Sequence, residues 1–175
     1  MPEPTSDAVA KVAALAERRT PEIVAFLREM IAIPSESSQE RAVVERVRAE
    51  MERLGFDEVK IDGLGNVLGR VGDGPVVVAL DGHLDTVGVG DRSTWTRDPY
   101  EGEEKDGMVY GRGAGDQEGG VAAAVYGAAI ARELKDKIPN AGDWDAQADS
   151  TMSQVTHTTV QAVVKSQETL DDYTR

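Results

Sequence analysis

The sequence predicts an α/β domain, with helices packed on a sheet. Segments with apolar residues at helical spacing stand on both sides of short β-branched runs, which is typical of packed α/β layers. Hydrophobic residues make up 40% of the chain and aromatic residues 5%, so the core is expected to be mainly aliphatic. At 175 residues, the chain is long enough for one such domain.

The amino-terminal part is predicted to contain three helices. Apolar residues recur at helical spacing over residues 7–19, and Thr20 followed by Pro21 indicates that a second helix starts there. Ser37 and Glu40 have the spacing of a capping box at the start of a third helix. That helix is expected to end at residues 54–55, where a leucine meets a glycine.

The pattern then changes to that of strands. Alternating residues at 59–61, turn composition at 63–66 and a β-branched segment at 67–71 together predict a hairpin. Residues 75–80 form a continuous apolar run, typical of a strand covered on both faces, and this run leads directly to His83.

Three further elements are expected after this strand. They are a polar loop over residues 88–106, a short strand at residues 108–110, and a helix from Gln117 to about Lys135. The helix is rich in alanine and glycine, which indicates close packing against the sheet.

The composition changes after Ile138. Serine, threonine and glutamine account for 13 of the last 37 residues but only 12 of the first 138. A strand at residues 155–160 and a helix at residues 160–170 both remain open. We therefore expect residues 1–138 to form the domain and residues 139–175 to be a polar tail of uncertain structure.

The charge and composition exclude several classes of function. A formal net charge of -13 opposes binding to nucleic acid or to an anionic membrane. The chain has no cysteine, so any metal must be held by histidine and carboxylates. Neither a secretory signal nor a bilayer-length apolar run is recognisable, and the expected location is the cytoplasm.

Two short motifs bring together side chains that bind metals. Asp81, His83 and Asp85 stand at alternate positions after the buried strand, so an extended chain would point all three to one side. An aspartate beside a histidine can fix the imidazole tautomer while the other ring nitrogen binds a metal. Glycines at 111, 113 and 115 then lead to Asp116. The alternatives are an ordinary surface pair for His83 and Asp85, and a helix cap for Asp116.

These motifs resemble those of a known family. Residues 83–87 (HLDTV), a loop with Trp95 and Pro99, and residues 111–120 (GRGAGDQEGG) are similar to the signatures of the zinc aminoacylase, deacylase and carboxypeptidase family, the ArgE/DapE-like metallopeptidases. The resemblance covers about residues 20–138, the amino-terminal half of the catalytic domain. It implies a three-layer α/β/α fold with a mixed sheet, incomplete in this chain, whose central strand ends at His83.

The resemblance also implies the roles of the site residues. His83 would bind one zinc ion, Asp85 would orient His83 as part of the catalytic machinery, and Asp116 would bridge two zinc ions. Cobalt and manganese are alternative metals for the same ligands. A carboxylate that bridges two dications would let a shared water ionise near neutral pH and attack an amide carbonyl. Glu118 stands where most members of the family have lysine.

The general base of the family is missing from this sequence. Members carry a Glu-Glu pair after the bridging aspartate, but here only Glu133 and Glu168 follow Glu118, and the next adjacent acidic pair is at residues 171–172. His157, the other histidine, is interpreted as a polar residue of a threonine-rich segment rather than as a ligand. Aspartates at 143, 145 and 149 are interpreted as a solvated acidic stretch.

The resulting hypothesis is a metal-dependent hydrolase of amide bonds that acts on small peptides or N-acyl amino acids. We expect this chain to be a truncated form with weak or no activity; a homo-oligomer is left open. The alternative is a non-catalytic metal-binding or interaction domain with the same fold. Trp95 either lines the substrate site or anchors its loop, and Arg112 either binds a substrate carboxylate or pairs with a nearby aspartate.

Overall fold

The computed structural model describes residues 6–73, 76–137 and 158–165. Within these ranges no helix has the length and apolar character needed to cross a membrane. The helices and strands, in chain order, are α1 (Ser6–Ile31), α2 (Arg41–Arg53), β1 (Glu58–Ile61), β2 (Val67–Val71), β3 (Val76–His83), β4 (Glu103–Lys105), β5 (Met108–Tyr110), α3 (Gly119–Lys137) and β6 (Thr158–Lys165).

Four of the strands form a mixed sheet in the order β1-β2-β6-β3. β1 and β2 form the predicted antiparallel hairpin, and β6 pairs antiparallel with β2 and parallel with β3. β4 and β5 form a separate two-stranded ribbon. The predicted α/β class and its mixed sheet are therefore confirmed.

The helices pack on one face of this sheet. Val67 of β2 and Gly82 of β3 are aligned through the same residue of β6, so they share a face. A Cβ added at Gly82 would lie 3.0 Å from Val121 of α3, and one at Gly69 would lie 2.6 Å from Met51 of α2. α1 joins the same core, which includes buried residues of all three helices and of β2, among them Phe26, Met30, Val43, Val47, Met51, Val67, Val71, Val121, Val125 and Tyr126.

The prediction for β3 is partly wrong. The strand does end at His83, as expected, but it lies at the edge of the sheet described here rather than at its centre. The described residues do not cover it on both faces, since the side chain of Val77 is 57% exposed. The described residues place helices on one face only, so they contain two of the three layers that the family resemblance implied.

The predicted break between two helices near Arg19 is also wrong. α1 runs continuously from Ser6 to Ile31 with Pro21 inside it. The hydroxyl of Thr20 donates to the carbonyl of Ala16 at 3.1 Å, so it bonds within α1 instead of capping a new helix. Arg19 also binds Glu133 of α3 at 3.0 Å, which holds this part of α1 against its neighbour.

The predicted capping box at Ser37 does not form. α2 begins at Arg41 after Glu40, whose side chain makes no capping hydrogen bond. The hydroxyl of Ser37 instead donates to Asp85, far away in the sequence. The predicted end of α2 is confirmed, because Leu54 is the C-cap and Gly55 has a φ of 76°.

The loop predicted over residues 88–106 contains β4, which pairs with the predicted strand β5. In the expected tail, residues 158–165 form β6 and fill the position between β2 and β3. Of the two alternatives, the strand agrees with the structure, though it extends beyond residue 160. The boundary at residue 138 stays a prediction. His157 and the aspartates at 143, 145 and 149 lie outside the described residues.

Candidate functional site

His83 and Asp116 meet at the carboxyl end of β3. His83 is the last residue of this strand, and Asp116 lies in an irregular turn, Ala114–Glu118, that precedes α3. The Nε2 atom of His83 lies 3.1 Å from the Oδ1 atom of Asp116. The two motifs, 33 residues apart in sequence, are therefore brought into direct contact.

The other ring nitrogen of His83 faces Asp85. Nδ1 lies 3.1 Å from the backbone oxygen of Asp85 and 3.3 Å from its Oδ1 atom. The ring therefore faces acceptors at both nitrogens, Asp85 at Nδ1 and Asp116 at Nε2. With the proton on Nδ1, the lone pair of Nε2 would be left to bind a metal held between His83 and Asp116, as in metal-binding histidines.

A segment before α2 braces this part of the chain. The amide of Thr86 donates to the backbone oxygen of Ser35 at 2.8 Å, and the buried hydroxyl of Ser35 donates to the carbonyl of Leu84 at 2.9 Å. The hydroxyl of Ser37 donates to Oδ2 of Asp85 at 2.9 Å. Asp85 is thus held from both sides, because one oxygen accepts from Ser37 and the other faces His83.

The turn around Asp116 depends on its glycines and on Gln117. Gly113 has a φ of 83°, and its carbonyl accepts from the amide of Glu118 at 3.0 Å. The side-chain oxygen of Gln117 accepts from the amide of His83 at 3.1 Å, which ties the turn to β3. Asp116 lies before α3 begins at Gly119, so it is not the cap of that helix. Its side chain is 91% exposed.

The site opens into a cavity of about 230 Å³. This cavity is small, so it suits a ligand the size of an amino-acid derivative better than a long peptide. Its lining combines the imidazole and two carboxylates with one guanidinium and with the backbone of the glycine-rich turn, contributed by His83, Asp85, Asp116, Arg112, Gly111 and Gly113.

Glu118 lies beneath this turn and is almost fully buried, at 1% exposure. Its Oε2 atom has no hydrogen-bond partner among the described residues. Burial raises the pKa of Glu118 to about 8. A Cβ at Gly113 would lie only 2.7 Å from Oε2, so the turn packs directly on the carboxyl group.

The donor set fits one side of a metal site. Zinc in enzymes typically takes three protein ligands and a water, and His83 with Asp116 supplies two of the usual ligand types. Within residues 6–73, 76–137 and 158–165, no group of three or more histidine, aspartate or glutamate side chains is arranged to hold a metal. The assignment of His83 and Asp116 as metal ligands, and of Asp85 as a catalytic residue, therefore stays a prediction.

Three residues of the site were not found from the sequence. Ser35 and Ser37 lie about 50 positions before the residues they contact, and nothing in their local pattern indicates these contacts. Gln117 stands beside Asp116, but its bond to the His83 amide depends on the turn geometry. Only the spatial pairing of the two segments reveals these roles.

The aromatic and basic side chains of the loop also have definite places. The indole nitrogen of Trp95 donates to the carbonyl of Val89 at 2.8 Å, so Trp95 anchors its own loop, as one of the two alternatives stated. Arg112 stacks on Trp95, with 4.9 Å between the guanidinium carbon and the ring centre. Among the described residues Arg112 has no ion pair with an aspartate, so the alternative of a local Asp partner is wrong.

Comparison with known proteins agrees with these features. Residues 79–141 match the model of Peptidase family M20/M25/M40. The uncharacterized protein YgeY of Escherichia coli strain K12 is 56% identical over 109 residues, which are 62% of this chain and 27% of that protein. A succinyl-diaminopimelate desuccinylase of Rhodospirillum centenum is 37% identical over 129 residues, which are 70% of this chain and 33% of that enzyme.

Solved structures show the same fold. Human carnosine dipeptidase 1 superposes with a TM-score of 0.67 at 24% identity, over 89% of this chain and 34% of that chain. The Bacillus subtilis YxeP protein, described as a dinuclear metal binding peptidase from the M20 family, superposes with a TM-score of 0.54 at 14% identity, over 88% of this chain and 36% of that chain. At these identities the likeness concerns the fold alone.

The residues that match the family model include the candidate site. Residues 79–141 include His83, Asp85 and Asp116, together with the turn that carries Asp116. The matched regions span only about a quarter to a third of the length of the curated relatives. Within that extent, the matching family model, the related sequences and the shared fold agree, and residues 79–141 are similar to Peptidase family M20/M25/M40.

Proposed function

We propose that this chain carries part of the site of a zinc-dependent amide hydrolase. In this proposal His83 and Asp116 bind the metal, and Asp85 orients His83. The observation that carries the proposal is the placement of His83, with Nε2 at 3.1 Å from Asp116 while Nδ1 faces Asp85. The match of residues 79–141 to a peptidase family model supports it.

The chemistry of such a site is hydrolysis of an amide in a small peptide or an N-acyl amino acid. A bound zinc ion would lower the pKa of a water to near neutrality and polarise the carbonyl of the substrate. The chain's own residues hold the imidazole in one tautomer through Asp85, keep the carboxylate of Asp116 at the cavity, and limit the size of the ligand through the cavity walls.

We propose that this chain alone turns over little substrate. Amide hydrolysis requires a general base near the attacking water, and a base of this kind contributes about 10²- to 10⁴-fold to the rate. Within the described residues, the carboxylates at the cavity are Asp85 and Asp116, and both are engaged with His83. Metal binding is therefore expected to be measurable while turnover is low.

Zinc content after purification tests this function. The wild-type chain should retain zinc, and both His83→Ala and Asp116→Ala should lose most of it, because each removes one of two donors. His157→Ala and Asp98→Ala are matched controls, one for each residue type, and should keep the wild-type content. Equal zinc content in all five proteins would contradict the proposal that His83 and Asp116 bind the metal.

A second candidate is a domain that keeps the fold for binding or regulation. One observation favours it, namely that the described residues supply two donors where an enzyme site typically has three. This candidate predicts a folded chain whose thermal stability does not respond to zinc. A rise in melting temperature with zinc that disappears in His83→Ala would exclude the metal-indifferent form of this candidate.

A further inference from the structure

Arg112 brings a positive charge to the wall of the site. It lines the same cavity of about 230 Å³ as His83 and Asp116. Among the described residues that line this cavity, it alone carries a permanent positive charge. A cavity with a metal-binding pair and one guanidinium presents two separate attractions for an anionic ligand.

The guanidinium is held in a fixed orientation. Its carbon lies 4.9 Å from the centre of the Trp95 ring, and the Trp95 indole is itself fixed by a 2.8 Å bond to the carbonyl of Val89. The backbone amide of Arg112 donates to the carbonyl of Pro99 at 2.7 Å. Because both the side chain and the backbone are anchored to the loop, little entropy remains to be lost when a ligand binds.

The hydrogen-bonding capacity of Arg112 is largely unused. An arginine side chain has five N–H donors. Within the part of the chain that the structure describes, Arg112 makes a single long contact, from Nη2 to the carbonyl of Gly88 at 3.5 Å, and its buried Nε atom has no acceptor. Binding of a group with two acceptor oxygens by a guanidinium with unused donors is therefore favourable.

Two neighbouring arginines show the difference. Arg92 and Arg97 also stack on aromatic rings, those of Tyr100 and Tyr110. Each of them has an ion pair, Arg92 with Asp98 at 2.8 Å and Arg97 with Glu103 at 2.6 Å. Arg112 is the stacked arginine that lines the cavity, and no carboxylate pairs with it within the described ranges.

We propose that Arg112 binds the carboxylate of the substrate. The ligand class is then a small molecule with a free carboxylate, such as an N-acyl amino acid or a dipeptide, whose amide lies towards His83 and Asp116. This inference rests on the proposed function, because it places the amide at the metal-binding pair. Arg112 is a residue that determines specificity, and it selects acids over the corresponding amides.

Fluorescence of Trp95 tests this proposal directly. The chain contains two tryptophans, so a Trp144→Phe background leaves Trp95, in contact with Arg112, as the reporter. The ligands are N-acetylglycine and its uncharged amide, titrated into the full chain with and without zinc. The acid should bind at least about 10-fold more tightly than the amide, as expected for a charge-assisted bidentate pair.

Variants separate this role from a structural one. Arg112→Gln should weaken binding of the acid by about 10- to 100-fold. Arg112→Lys keeps the charge but loses the planar fork, so its affinity for the acid should lie between those of the wild type and Arg112→Gln. Arg97→Gln removes a stacked arginine that is already paired, and it should bind the acid like the wild type. Circular dichroism of each variant checks that the fold is intact.

The outcomes also separate the two proposals. Equal affinity for the acid and the amide, no measurable binding of the acid, or unchanged affinity in both Arg112 variants would overturn the role of Arg112. A chain that selects the acid through Arg112 but binds no zinc would support this inference as a carboxylate site. It would contradict the proposed hydrolase function alone.

Discussion

Two buried glutamates in this chain have opposite surroundings. Glu50 of α2 is 2% exposed and Glu118, beneath the candidate site, is 1% exposed. Oε1 of Glu50 accepts from Tyr126 at 2.6 Å and from Arg53 at 2.7 Å, and its Oε2 accepts from Arg46 at 2.9 Å. Oε2 of Glu118 has no partner among the described residues.

The pKa values of the two groups follow from this difference. Burial alone would raise the pKa of Glu50, but hydrogen bonds from Arg53, Tyr126 and Arg46 outweigh it and lower the pKa to about 2. At Glu118 burial is unopposed and raises the pKa to about 8. In the helix layer, the buried charge of Glu50 is hydrogen-bonded, and this network stabilises the fold. Beneath the site, Glu118 is buried with Oε2 unpaired, which lowers stability, as buried groups of functional regions often do.

The largest expected effect is that of Glu50→Ala. The substitution leaves the buried hydroxyl of Tyr126 and parts of two guanidinium groups without their acceptor. We expect the free energy of unfolding to fall by about 3 kcal/mol, as for a broken buried ion pair. Urea denaturation followed by circular dichroism measures this change.

Glu52→Ala on the same helix is the matched control. Glu52 is 55% exposed, and its contact with Arg48 is long, at 3.8 Å. Its removal should change the unfolding free energy by less than about 0.5 kcal/mol. If Glu50→Ala costs no more than this control, the Glu50 network does not stabilise the helix layer.

The Glu50 network also predicts the response to acid. The folded pKa of about 2 lies below the ordinary value of 4.5, so between these values the unfolded state binds more protons. Stability from Glu50 is therefore present above about pH 4.5 and is lost as the pH falls towards 2, in total about 3 kcal/mol. The difference in unfolding free energy between the wild type and Glu50→Gln should be constant from pH 7 to 5. It should shrink from pH 4.5 to 3; a constant difference down to pH 3 would contradict the assignment.

Ser37→Ala tests the site region in the same way. The substitution removes the donor to Asp85, so Asp85 orients His83 less well. Zinc affinity should fall by about 10-fold, as for partners of metal-binding histidines, while stability changes by less than about 0.5 kcal/mol. Isothermal titration calorimetry measures the affinity, and Ser37→Thr, which keeps the hydroxyl, should restore it.

The combination with Asp85→Ala distinguishes this role from a general loss of structure. Once Asp85 is absent, Ser37→Ala should have no further effect on zinc affinity, because Ser37 acts through that carboxylate. Additive losses in the double variant would show that Ser37 acts by another route.

The smallest expected effect is that of Glu118→Met. Methionine fills a similar volume and removes the unpartnered Oε2 atom. We expect the unfolding free energy to rise by about 1 kcal/mol, the reverse in sign of the change at Glu50. A loss of more than about 1 kcal/mol in urea denaturation would mean that Glu118 is as well satisfied as Glu50.

Local patterns predicted most of the elements near the site. The apolar run before His83 and the turn residues of the β1-β2 hairpin are set by neighbours in sequence, and both were found. The meeting of His83 with Asp116 could be anticipated because the two motifs occur in the family order.

The features that the sequence did not predict depend on contacts between residues that are distant in sequence. The local pattern around Ser37 predicts a helix cap, but its hydroxyl donates to Asp85, which is 48 residues away in sequence. The separation of β3 from β2 follows from β6, a strand of the threonine-rich carboxyl-terminal part that lies between them and whose pairing no local pattern specifies. The continuity of α1 through Pro21 depends on packing against α3, which outweighs the local start signal.

The central claim is that His83 and Asp116 form a metal site. X-ray absorption at the zinc edge of the zinc-loaded chain tests it most directly, because imidazole scattering reports a bound histidine. We predict one imidazole and several oxygen ligands at about 2.0 Å, with the imidazole signal lost in His83→Ala and kept in His157→Ala. An unchanged imidazole signal in His83→Ala, or zinc bound by oxygen atoms alone in the wild type, would contradict the account.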